Sequence, residues 1–133
     1  MSGLVQRLRD LYRGWSLEIL ANGEAHREGL RLLKENLTPR QRDELEVFNY
    51  FDVVGGVTGT PYRIHFGDRM NIDQLDARGK CSRVLCFVPE GQLPVGDTML
   101  AQKLALELFE TEVLEKANRV LPWQVPAPFD LRH

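Results

Sequence analysis

Apolar side chains recur every three or four residues over the first 48 positions, which predicts helices. The apolar stripe of the first helix consists of Leu4, Leu8, Leu11, Trp15 and Ile19. Asn22-Gly23 should end this helix, since both residues tolerate the left-handed conformation that closes a helix. A second helix is expected after it, with an apolar edge made of Leu30, Leu33 and Leu37.

A third helix is predicted to begin at Thr38-Pro39-Arg40-Gln41. Thr38 can cap the helix, Pro39 fits the first helical position, and Gln41 can complete a capping box. Leu45 and Phe48 should carry this short helix into the core.

From Tyr50 onwards the apolar period changes to two, which is typical of strands. Turns that contain glycine separate four predicted strands: Tyr50–Val54, Pro61–Phe66, Met70–Leu75 and Cys81–Val88. No connection between them is long enough for a parallel crossover, so an antiparallel meander is expected.

The lengths of the turns predict a register for this sheet. Three-residue turns would pair Ile64 with Ile72 and Ile72 with Val84, and the loop after the first strand would pair Val53 with Tyr62. One face then points to the core and carries Phe51, Val53, Tyr62, Ile64, Phe66, Met70, Ile72, Val84 and Cys86.

The opposite face of the sheet is predicted to be polar. Its ladder of alternating charge consists of Asp52, Arg63, Asp73 and Arg83, and a second row holds Tyr50, His65, Asn71 and Leu85. Opposite charges on neighbouring strands contribute roughly 0.2–1 kcal/mol each and favour this register. The candidate ligand contacts on this face are Tyr50, Arg63, His65, Asn71 and Arg83.

The last predicted element is a helix from about Thr98 to Asn118, with Asp97 as its N-cap. Its apolar stripe is wider than one contact with a sheet requires. After Leu121 the prolines predict an extended tail. If nothing else in the chain covers these features, they predict protein–protein contact through Leu106, Phe109, Val113, Trp123 and Phe129. The alternative is that the N-terminal helices cover the last helix and that the tail folds back on its own domain.

Together these elements predict an α+β fold with N-terminal helices, a four-stranded β-meander and a long helix packed on the sheet. Residues 1–121 would form one domain, helical over 1–48, β over 50–88 and helical again over 97–118. Residues 122–133 would form the extended tail. A chain of 133 residues is too short for two ordinary domains.

The stretch from Leu37 to Asn118 resembles small uncharacterised bacterial proteins in five shared segments. The segments are Tyr50-Phe51, Tyr62-Arg63-Ile64, Met70-Asn71-Ile72, Leu85-Cys86-Phe87-Val88-Pro89-Glu90-Gly91 and Met99-Leu100-Ala101-Gln102-Lys103. The resemblance implies a bacterial, intracellular origin, and it implies no particular chemistry.

Charge and hydropathy narrow the classes of partner. The chain has 17 Lys and Arg against 19 Asp and Glu, so a strongly basic nucleic-acid-binding protein is disfavoured. The longest apolar run, Val84 to Val88, is far too short to span a membrane. Charged residues such as Arg7 and Asp10 stand where a signal peptide would need an apolar core. We therefore expect a cytoplasmic protein without membrane contact.

Candidate chemistry along the chain is sparse. Cys81 and Cys86 would lie on opposite sides of one strand, too far apart for a disulfide or a shared metal site. Cys86 should face the core, out of reach of His65. His65 could form an acid–base couple with Asp52 or Asp73, but no serine is placed to complete a triad. We expect no metal and no cofactor.

The segment Gly55-Gly56-Val57-Thr58-Gly59-Thr60 raises the alternative of a phosphate-binding loop. It lacks the Lys-Ser/Thr pair of a P-loop, and it joins two strands instead of opening a helix. A flexible hairpin loop is the favoured interpretation.

Three functional hypotheses follow. The leading one is a non-enzymatic interaction module or small subunit, which associates with itself or another protein through the last helix and the tail. The second is a protein that binds a ligand or nucleic acid on the polar sheet face. The third is a hydrolase-like enzyme centred on His65.

Overall fold

A computed structural model describes residues 23–89 and 93–120. The predicted first helix and the tail after Leu121 lie outside these ranges. Within them the fold is α+β, as the sequence predicts. The elements in chain order are α1 (Gly23–Glu35), α2 (Pro39–Phe48), β1 (Tyr50–Val54), β2 (Pro61–His65), β3 (Ile72–Leu75), β4 (Cys81–Cys86), α3 (Val95–Leu108), α4 (Glu110–Lys116) and β5 (Asn118–Val120).

A local motif fixes both ends of α2. The Thr38 hydroxyl accepts the Gln41 N–H at 3.1 Å, and the Gln41 side chain accepts the Thr38 N–H at 3.0 Å. The predicted capping box is confirmed, with Pro39 in the first turn. At the other end, Asn49 adopts a left-handed conformation (φ 60°) and turns the chain into β1.

The strands form one antiparallel sheet in the order β1-β2-β3-β4-β5. The predicted pairs of Val53 with Tyr62 and of Ile64 with Ile72 are both observed. The meander is therefore confirmed, and its register is correct through the first three strands. The sequence does not predict β5, which pairs with β4 at the edge of the sheet.

The predicted register between β3 and β4 is wrong by one residue. The turn itself is as expected, since Leu75 pairs with Cys81. A β-bulge next to Gln74 then takes up Ser82, so that Gln74 pairs with Arg83. The Ser82 hydroxyl donates to the Gln74 carbonyl at 3.0 Å and holds the bulge in place.

The bulge exchanges the two faces of β4. Leu85 now pairs with Ile72 and is fully buried in the core, where the sequence predicted Val84 and Cys86. Val84 pairs with Asp73 on the opposite face and is also fully buried. Cys86 follows Val84 to that face and is half-buried.

The helices pack on the face of the sheet to which Leu85 points, and we call this side the core face. The buried cluster between them consists of Leu33, Leu37, Leu45, Phe51, Val53, Tyr62, Ile64, Ile72, Leu85, Met99, Leu100, Leu106 and Val113. α1 and α3 cross closely, because a side chain at Gly96 would overlap the backbone of Gly29. We call the opposite side of the sheet the outer face.

The predicted last helix is present but interrupted. It begins at Val95 rather than Thr98, and Pro94 rather than Asp97 occupies the N-cap position. Phe109, with φ −135° and ψ 40°, separates α3 from α4. The break changes which side chains point away from the core.

Candidate functional site

The outer face carries a cluster of paired polar side chains, which we call the polar cluster: Tyr50, Asp52, Arg63, His65 and Asp73. Arg63 binds Asp52 in a bidentate manner, with Nε to Oδ1 at 2.8 Å and Nη2 to Oδ2 at 3.0 Å. The side chains of this pair are 27% and 32% exposed. The hydrogen bonds that Arg63 donates to Asp52 raise the pKa of the Arg63 guanidinium, although partial burial opposes the shift.

Tyr50 lies at the centre of the polar cluster. The Arg63 guanidinium carbon lies 4.1 Å from the centre of the Tyr50 ring, in a cation–π contact. The His65 ring meets Tyr50 edge-on at 5.6 Å. Phe48 stacks on Tyr50 at 5.3 Å and is 57% exposed. The expectation that Phe48 enters the core is therefore wrong, because the turn at Asn49 places it against Tyr50 instead.

His65 contacts Asp73, which is one of the two carboxylates that the sequence offers as its partner. Nε2 of His65 lies 2.8 Å from Oδ2 of Asp73, and the two side chains are only 16% and 4% exposed. Such a pair can act as a general base on a hydroxyl, a thiol or a bound water within hydrogen-bond reach. Among the described residues no hydroxyl or thiol hydrogen-bonds His65. Cys86 shares its face but lies two strands away, at about 10 Å.

Two predicted ligand contacts do not join the polar cluster. Asn71 turns to the core side, where its amide exchanges hydrogen bonds of 2.9 and 3.1 Å with the Gln102 amide of α3. The positive φ of Met70 (51°) interrupts the alternation of the strand just before Asn71. Arg83 pairs with Gln74, away from Asp73, because of the bulge, and it is exposed. The predicted four-residue charge ladder therefore ends at Asp73.

The Gly55–Thr60 segment, here called the Gly loop, surrounds a buried carboxylate that no local sequence pattern predicts. Glu110 is fully buried at the start of α4. Its Oε1 accepts the N–H groups of Val57 and Thr58 at 2.9 and 2.8 Å. Its Oε2 accepts the hydroxyls of Thr58 and Tyr62 at 2.5 and 2.7 Å.

Every backbone N–H of the Gly loop has an acceptor within the chain. Two bind Glu110, and Gly56 N–H donates to the Leu106 carbonyl at 3.1 Å. The remaining three N–H groups donate within the loop. Gly55 N–H donates to the Thr60 carbonyl, Gly59 N–H to the Gly55 carbonyl, and Thr60 N–H to the Thr58 hydroxyl. The amides that a phosphate would need are thus already used, and Glu110 takes the place of the anion.

The hydrogen bonds also set the charge states of Glu110 and Tyr62. Burial raises the pKa of Glu110, but its four donors outweigh burial and lower the pKa to about 2. Burial and the neighbouring carboxylate raise the pKa of Tyr62 far above its ordinary value of 10. Glu110 is therefore an anion and Tyr62 a neutral donor at physiological pH.

Large apolar side chains are exposed where the Gly loop meets the break between α3 and α4. We call this region the apolar end surface. Its members and their exposed fractions are Val54 (59%), Val57 (68%), Leu108 (64%) and Phe109 (58%). The two segments are in contact, because Gly56 lies against the backbone of Glu107 and Val57 binds Glu110.

The predicted partner-binding residues fall into three groups. Leu106 and Val113 are buried in the core at 0% and 8% exposure, so they are not available to a partner. Phe109 is exposed, as the prediction requires. Trp123 and Phe129 lie outside the described residues.

The described part of the chain also bears on metal binding and membrane insertion. It contains no group of three or more His, Cys, Asp or Glu side chains that could hold a metal ion. Cys81 and Cys86 are both half-buried, and neither forms a disulfide among the described residues. No helix within residues 23–89 and 93–120 has the length and apolar character needed to cross a membrane.

Comparison of the chain with protein-family models, curated proteins and solved structures finds no match.

Proposed function

We propose that this protein is a non-enzymatic interaction module that self-associates through the apolar end surface. The observation that carries the proposal is the exposure of four large apolar side chains, each more than half accessible, at one place on the fold. Scattered apolar residues are normal on a protein surface, whereas exposed apolar residues grouped on two adjoining segments are typical of an interaction site.

The size of the surface supports this function. Its four side chains expose on the order of 400 Å² of apolar surface together, which is the size of the largest apolar patch on a typical monomer, a patch that is often functional. A standard interface buries about 800 Å² per partner, and about two thirds of it is apolar in homodimers. The apolar end surface would therefore supply most of the centre of such an interface.

The fold also holds this surface in place before any partner arrives. Glu110 ties the Gly loop, which carries Val57, to the segment that carries Leu108 and Phe109. A surface that is ordered in advance loses less conformational entropy on association. The buried carboxylate thus contributes indirectly to binding.

The two carboxylates that flank Leu108 and Phe109 do not oppose a second copy as the partner. Glu110 is buried among its donors, and Glu107 forms an ion pair of 2.6 Å with Lys103. Neither carboxylate presents an unpaired charge to an identical surface, so two copies can meet face to face without strong repulsion.

Pairing of β1 edges is a less suitable route to the dimer. The Gln41 side chain of α2 donates to the Asp52 carbonyl at 2.9 Å, on the edge of β1 that is left uncovered by the strands of the described part of the chain. A helix placed beside an edge strand in this way hinders pairing with another chain. Association should therefore depend on side chains rather than on the backbone of β1.

The proposal is tested by the double variant Leu108→Gln with Phe109→Gln. Both side chains are exposed, so the fold should remain intact. Loss of two central apolar contacts should weaken self-association about 10- to 100-fold, as measured by light scattering after size exclusion. Val47→Gln is the matched control, because Val47 is 70% exposed but lies on α2, outside the surface.

Equal association of the double variant, the control and the parent would contradict the proposal. A version that ends at Leu121 tests whether the tail, rather than a second copy, covers the apolar end surface. If that version dimerises while the full chain stays monomeric, the tail covers the surface and self-association of the full chain is overturned.

Ligand binding on the outer face and hydrolysis centred on His65 remain predictions. The charged groups of the polar cluster satisfy one another, with Arg63 on Asp52 and His65 on Asp73. That pattern supports a structural role for the cluster more than it supports either activity, and substitution of Arg63 separates the two interpretations.

A further inference from the structure

We draw no further inference here: the strongest candidate, the half-buried polar cluster of Tyr50, Asp52, Arg63, His65 and Asp73 on the outer face of the sheet, belongs to the site already described, and its charged groups are paired with one another within the described part of the chain, so that nothing there points to a ligand.

Discussion

Glu110 is a fully buried carboxylate that stays ionised because donors surround both of its oxygens. Two of the donors are backbone amides of the Gly loop, and the others are the hydroxyls of Thr58 and Tyr62. A buried charge is costly unless it is hydrogen-bonded in this way. The carboxylate therefore joins the Gly loop, β2 and α4 at a single point.

Glu110→Gln should lower the free energy of unfolding at pH 7 by about 2–4 kcal/mol. The amide keeps the size of the side chain, but its NH₂ group faces donors that it cannot accept from. Chemical denaturation measures the loss. Glu112→Gln, an exposed change on the same helix, is the control and should stay within about 0.5 kcal/mol of the parent.

The parent protein and Glu110→Gln also provide a test of pH dependence. The pKa of Glu110 is about 2 in the folded protein, against an ordinary value of 4.5. Below pH 4.5 the unfolded chain binds a proton that the folded protein does not, so the stabilisation falls away towards pH 2. The difference between the parent and Glu110→Gln should shrink over that window. A difference that stays constant from pH 7 to the acid limit would contradict this role.

Arg63→Ala should lower stability by about 1–2 kcal/mol, because it removes a bidentate ion pair and a cation–π contact. Arg83→Ala is the matched comparison, since Arg83 is exposed and forms no ion pair among the described residues. It should change stability by less than about 0.5 kcal/mol. If Arg63→Ala leaves the thermal midpoint unchanged, the polar cluster is not structural and ligand binding on the outer face gains support.

For individual residues, the sequence predicts the side-chain pairs that lie on adjacent strands whose register is predicted correctly. Asp52 with Arg63 follows from turn length alone, and His65 with Asp73 was one of two partners considered. The role of Glu110 does not follow from local pattern, because its donors lie more than forty residues away in the chain. A signal did exist, since Glu110 falls between the buried positions Leu106 and Val113 on the same stripe.

Among the elements, those defined by neighbouring residues were predictable and those decided by packing were not. The capping box of α2 needs only Thr38 to Gln41 and is confirmed. The bulge in β4 depends on which side chain fills the core beside Ile72. Leu85 fills that position instead of Val84, and a single extra residue, Ser82, makes the exchange. A one-residue slip of this kind reverses every later side chain of a strand.

The Gly loop gives a prediction at the level of elements. A methyl group at Gly56 would overlap the backbone carbonyl of Glu107, which cannot move without displacing α3. Gly56→Ala should therefore cost more than about 2 kcal/mol in unfolding free energy.

Gly59→Ala is the comparison within the same loop. Gly59 has φ +73° and nothing within 4 Å of an added methyl group, so only the left-handed conformation is strained, at about 1 kcal/mol. Equal losses in the two variants would show that the contact between the Gly loop and α3 contributes little to stability.

For the whole molecule, the order of the strands and the face of the sheet on which the helices pack were predictable. The reason is that every strand connection in the meander is short. Of the exposed surface only Phe109 was predicted, because the surface depends on a helix break at that residue, which no proline or glycine in the sequence indicates. A continuous helix would place its apolar residues on one stripe. The break instead leaves Leu108 and Phe109 exposed beside Val57, and the proposed function rests on that arrangement.

The most direct test is the mass of the full chain in solution, measured by light scattering over a dilution series. Self-association through the apolar end surface predicts a mass that rises with concentration from 15.3 kDa to twice that value. A mass of one chain at every concentration would contradict the account.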